Sequence, residues 1–292
     1  MHTHNDKPVS GQFTAHYAGN IRKMKVSAHM HQPARYQLPI GEQLIDMNTL
    51  LGREISLSYA GDIHCVHCGN KTKSSFNQGY CYRCMTTLAQ CDTCIMRPEL
   101  CHYDQGTCRE PAWGEANCMQ DHFVYLANTG TIKVGITRHV SDGISSRWLD
   151  QGATQALAIM RVQSRLISGL VESALKSHIA DKTNWRTMLT SHPQEADLVS
   201  LQASLLTKID EELSAITDEY GFAAINILSN QAVNIHYPVT AYPKKVKSIN
   251  LDKEGGFSGE LQGIKGQYLL LDGDRVINLR KYAGYALRIS HT

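Results

Sequence analysis

All nine cysteines of the chain lie between Cys65 and Cys118, and the first four form two matched pairs, Cys65-x2-Cys68 and Cys81-x2-Cys84. A Cys-x2-Cys pair sets two thiolates within reach of one ion, and two pairs complete a tetrahedral shell of four thiolates. Gly69 follows the first pair and suits the tight turn of a metal knuckle, where backbone N–H groups point at thiolate sulfur. Residues 64–122 are rich in Cys, Gly and polar residues and poor in aliphatics. Such a segment buries little apolar surface and takes its stability from metal. The spacing fits a zinc ribbon or treble clef and neither of the ferredoxin runs, which favours zinc over an iron–sulfur cluster. Neither pair opens a helix of a βαβ unit, which argues against a redox motif. A second group follows. Cys91-x2-Cys94 reads as a pair, Cys101, Cys108 and Cys118 compete for the remaining places, and His102 and His122 are further options. The sequence leaves that pairing open and predicts one or two structural zinc sites.

Composition sets the surroundings of this cluster. The odd number of cysteines opposes a complete disulfide framework. No run of about 18 apolar residues is present to span a membrane, and the opening MHTHNDKPVSGQ has no apolar stretch of a secretory signal. The expectation is a cytoplasmic chain, away from membranes, where clustered cysteines bind metal more often than they form disulfides. The net charge of +2 neither requires nor excludes nucleic acid, because a local basic patch suffices. Candidate patches are Arg22, Lys23 and Lys25, the run 244–247, and Arg280 with Lys281.

Patterning predicts an α+β chain in four stretches: a β-rich segment over 1–63, the Cys-rich module over 64–122, an α/β domain over 123–221, and a β-rich segment over 222–292. Ile55 to Tyr59 alternate as a strand. Phe123 to Ala127 and Thr131 to Ile136 flank an Asn128-Thr129-Gly130 turn and read as a hairpin. Helices are expected from Ile144 to Gly152, from about Arg161 to Ala180, and around Trp185 to Leu189 with Asp181 as its cap. A long helix is expected over 193–220, ended by Gly221. The tail offers four further strands, which the N-terminal strands are free to join.

The stretch 123–190 resembles the GIY-YIG endonuclease superfamily. Phe123-Val124-Tyr125 stands at the first name-giving tripeptide with its Tyr kept. Lys133-Val134-Gly135 stands at the second, with its Gly kept and Lys in place of Tyr. Arg147 falls where that family has an Arg on the first helix, Glu172 where it has a metal-binding Glu on the second, and Asn184 where it has a late Asn. More narrowly, the chain resembles an uncharacterised bacterial zinc-cluster family, through the cysteines followed by Val-Tyr-Leu-Ala, Lys-Val-Gly-Ile-Thr-Arg, Arg-Trp-Leu-Asp-Gln-Gly-Ala and Asp-Lys-Thr-Asn-Trp-Arg.

The resemblance implies a small mixed sheet with helices and a Mg²⁺-dependent endonuclease acting on DNA or RNA. Tyr125, Lys133, Arg147, Glu172 and Asn184 would be its catalytic residues. Glu172 would hold Mg²⁺, with waters and phosphate completing the octahedron. Tyr125 would act as general base or orient the water, Arg147 would clamp the phosphate, and Lys133 would neutralise it or lower the Tyr125 pKa. His139 and His178 are alternative acid or base groups. Gly169 would leave space beside Glu172 on a face turned to solvent or a cleft. The competing expectation is a DNA- or RNA-binding protein that keeps this fold without turnover.

Overall fold

Three sheets organise the computed structural model, which describes residues 15–180, 182–190 and 193–292. The first fourteen residues and Asp181, the expected helix cap, lie outside the described residues.

The largest sheet joins the two ends of the chain. Ala15–Asn20 pairs with Tyr285–His291, which pairs with Glu54–His64, and this in turn pairs with Gly256–Lys265, all antiparallel. Tyr268–Leu271 and Arg275–Asn278 continue the sheet. The alternation read at Ile55 to Tyr59 therefore belongs to a strand that extends to His64 and delivers the chain directly to Cys65. A small meander, Lys25–Ser27, Arg35–Ile40 and Gln43–Asp46, packs beside this sheet.

The second sheet carries the candidate catalytic residues. His122–Asn128 lies between Ile132–Thr137 and Gln155–Val162, antiparallel to both. Its two faces are covered differently. Tyr125, Ala127, Ala156 and Ala158 pack with Trp148 and with residues of the large sheet such as Leu261 and Ile277. Val124, Leu126, Leu157 and Ile159 pack under Ile167, Val171 and Leu175 of the next helix and under Leu205 and Leu213. Full burial of each aliphatic side chain contributes about 1.5–3 kcal/mol, so both faces hold the sheet firmly.

Several expected elements change in detail. The helix expected from Arg161 is preceded by the strand Gln155–Val162 and begins at Arg165, running Arg165–Lys176. Ser164 caps it by accepting from Ile167 N at 3.3 Å. The expected helix over 193–220 is two helices, Leu198–Lys208 and Asp210–Tyr220. They break at Ile209, whose ψ of 20° leaves the helical range. Asp210, Glu211 and Glu212 then open the second helix, where negative charge meets the positive end of the helix dipole. The helix expected from Ile144 shortens to Ser146–Asp150, capped by Ser145.

Candidate metal centre and the adjoining cleft

Cys65 and Cys68 lie on the turn after the long strand, and Cys81 and Cys84 at the start of the helix Tyr82–Thr87. Gly69 takes the left-handed φ of 73° that the knuckle needs, and its N–H returns to Cys65 O at 3.0 Å. The four Sγ atoms all lie within 4.8 Å of one another. Cys68 Sγ is 3.8 Å from Cys81 Sγ. Thiolates bound about 2.3 Å from zinc form a tetrahedron with sulfur–sulfur edges of about 3.8 Å. Burial pushes the Cys65 thiol up, but backbone N–H groups of Cys68, Cys81 and His67 aimed at its sulfur outweigh burial and bring it down to about 6. Burial and its three cysteine neighbours push Cys84 the other way. Four thiols this close cannot all ionise without a cation, and the donor set is compatible with a structural zinc site.

The remaining cysteines separate. Cys91 ends a short 3-10 turn and packs with Cys65, Cys84 and Leu88 against the first centre. Asp92, extended at ψ 156°, then turns the chain away. Cys94, Cys101, Cys108 and Cys118 instead line a separate cavity, with Asp92 and His102 beside them. The expected Cys91–Cys94 pair is therefore split, because the extended Asp92 replaces the tight turn that lets both sulfurs face one ion. His122 is off this cavity. It is buried on the sheet, with Nδ1 2.7 Å from Gln120 O. All nine cysteines are free thiols.

The Cys-rich module docks on the helix Arg165–Lys176, and Gly169 makes that possible. A Cβ there would lie 2.3 Å from Glu99 N and 2.6 Å from the Pro98 carbonyl carbon. The space expected beside Glu172 is thus filled by module backbone. Arg165, seven residues before Glu172 on the same face, is covered as well, and its backbone N–H donates to Cys118 O at 2.8 Å.

Beyond the module, Tyr125 feels the charges of two other expected catalytic residues, Arg147 and Glu172. The Tyr125 phenol is fully buried and donates to Gln151 Oε1 at 2.8 Å. Its ring lies over Gly135, its cross-strand partner, where a Cβ would come within 2.6 Å of the hydroxyl. Burial pushes the phenol up to about 12. Arg147 and Gln151 pull it down and Glu172 pushes it further up, so both charged groups act on it. Desolvation dominates, and the phenol stands above its ordinary range.

Glu172 is nearly buried at 13% side-chain exposure and pairs with Lys176 at 3.3 Å, one helical turn on. Burial lowers the Arg280 pKa, and the charges of Asp150 and Arg147 both act on it. Asp150 is itself held by Lys23 and by Gln267, whose Nε2 donates at 2.8 Å.

Lys133 is buried on the hairpin, opposite Ala127 and bridged to Ala180. Asn184 is exposed, and its Oδ1 caps the helix Trp185–Thr190, accepting from Arg186 N and Thr187 N at 3.1 and 3.3 Å. His139 and His178 are exposed. Sequence reasoning missed Gln151 and Lys176, detectable one helical turn after Arg147 and one turn after Glu172, and named Arg280 only as part of a basic patch with Lys281.

Among the described residues, no helix is long and apolar enough to cross a membrane. No curated protein and no solved structure matches the chain. The family described as Protein of unknown function (DUF2797) matches residues 52–287, about four-fifths of the chain, from the long strand before Cys65 to the last strand of the large sheet. The cysteine module and Tyr125, Arg147 and Glu172 all lie inside that span, and the protein belongs to the DUF2797 family.

Proposed function

We propose that the protein acts on nucleic acid through the Tyr125–Arg147–Glu172 cleft, hydrolysing a phosphodiester bond with a divalent cation, while the zinc-binding module braces the cleft. One observation carries the proposal: Arg147 and Glu172, from two separate helices, both act on the single buried phenol of Tyr125. The GIY-YIG resemblance, which names these residues as one catalytic set, supports the reading.

Arg147 offers the planar, bidentate donor that phosphate prefers, and Arg280 adds positive charge. Mg²⁺ uses one or two carboxylates and keeps its waters, so Glu172 suffices as its protein ligand once Lys176 lets go. The ion would neutralise charge at phosphorus. Tyr125, protonated well above neutral pH, serves as a donor that fixes Gln151 and the cleft wall. It is not the base.

A second reading, phosphodiester binding without cleavage, is favoured by that same protonated phenol and by the Glu172–Lys176 pair. The test is incubation with a DNA and RNA panel in Mg²⁺. The proposal expects cleavage that Glu172→Ala abolishes. Salt-sensitive binding without cleavage selects the second reading, and absence of both overturns the two together.

A further inference from the structure

Cys94, Cys101, Cys108 and Cys118 come from four separate segments, yet they line one cavity of about 10 Å³. That volume admits about one water-sized sphere, which is also the space a single ion needs. Cysteines are the only residues among its walls able to supply four equivalent soft ligands, the set that structural zinc takes. The two other ligating groups nearby, Asp92 and His102, have ligand atoms within 4.8 Å of Cys94 Sγ and of each other, and both are already engaged. Asp92 is paired with Arg109 at 2.6 Å. His102 Nδ1 lies 2.7 Å from Thr107 Oγ1, and its Nε2 faces Asp92 at 3.6 Å.

Four thiolates around one Zn²⁺ leave net negative charge, and the structure holds a cation against it. Arg165 is mostly buried and near enough to Cys94 and Cys118 that their charges act on it. Its Nε has no acceptor among the described residues. A buried, unpartnered guanidinium donor is costly unless anionic sulfur stands in front of it.

We infer that Cys94, Cys101, Cys108 and Cys118 hold a second zinc ion, separate from the Cys65–Cys68–Cys81–Cys84 centre, and that this ion pins the module to the helix bearing Glu172. The inference stands independently of any nuclease activity. Cys118 links the two parts directly, since its carbonyl accepts the N–H of Arg165 in the first turn of that helix. Cys91, packed on the first centre, is a ligand of neither ion.

The test is elemental analysis of the full-length protein and single variants, purified without chelator. The wild type and Cys91→Ser should each carry about two zinc ions per chain. Cys101→Ser and Cys108→Ser should each carry about one, and His102→Ala should keep about two. Loss of one zinc in Cys91→Ser, or in His102→Ala with Cys108→Ser unaffected, overturns the assignment. Should the ligand variants fail to fold, the wild type alone decides: titration with a mercurial should release about two equivalents of zinc, and release of about one refutes the second site.

Discussion

Replacing Gly169 by Ala tests how the cysteine module is held. In an open helix this change stabilises by about 1 kcal/mol, because Gly is the poorer helix former. Here the new Cβ would sit 2.3 Å from Glu99 N, 2.6 Å from the Pro98 carbonyl carbon and 2.7 Å from Pro98 Cβ. Two of the three obstacles are backbone, which no rotamer change removes, so the module must lift as a unit. Overpacking of this kind costs about 1–3 kcal/mol, and a backbone obstacle belongs at the upper end. Subtracting the helix gain leaves a net loss of about 2 kcal/mol. For a chain of this size that lowers Tm by about 4–8 °C.

Calorimetry of zinc-loaded wild type and Gly169→Ala reads the sign. Hydrogen exchange should locate the loss at residues 94–101 and the first turns of the Arg165–Lys176 helix. A Tm that stays put or rises by the few degrees expected of an exposed helical Gly→Ala would refute the docking described here.

Two further outcomes follow from buried groups. Burial holds the His122 imidazole down to about 4, with Arg165 and Arg138 adding to the effect. His122 is therefore neutral in the fold, and its contribution is complete above about pH 6.5 and lost as pH falls toward 4, by at most about 3 kcal/mol. Urea titrations across that window should be steeper in pH for the wild type than for His122→Gln, and equal slopes would contradict the assignment. Gly135→Ala should destabilise by about 1–2 kcal/mol, because the added methyl group meets the Tyr125 hydroxyl and its ring carbon at 2.6 and 2.7 Å inside a packed core. Unchanged stability in a chemical melt would show that the phenol does not rest on the glycine.

Local patterns were legible in the sequence where one element decides its own form. The hairpin at 123–137 showed itself by its turn, and the first metal centre by matched Cys pairs with a Gly knuckle. Gln155–Val162 was not legible, because both its faces are covered and only Arg161 is exposed. A strand buried on both faces shows a continuous apolar run, without the alternation that separates strand from helix. The Cys91–Cys94 spacing misled because ligand pairing depends on the turn between the residues, and Asp92 is extended. Joining the first strand to the last, and bringing Arg280 within reach of the Arg147 charge, are long-range events that no local period records. Asn184, expected among the catalytic residues, is exposed and serves as a helix cap.

The most direct test of the central claim, that this cleft engages nucleic acid, is equilibrium binding of a short oligonucleotide across a salt series. Wild-type protein and Arg147→Ala would be measured side by side in EDTA-free buffer with Ca²⁺. The account predicts a linear fall of log K with log salt. It predicts weaker binding by Arg147→Ala at every salt concentration, with a slope smaller by about one. No binding at low salt, or identical curves for the two proteins, would contradict it.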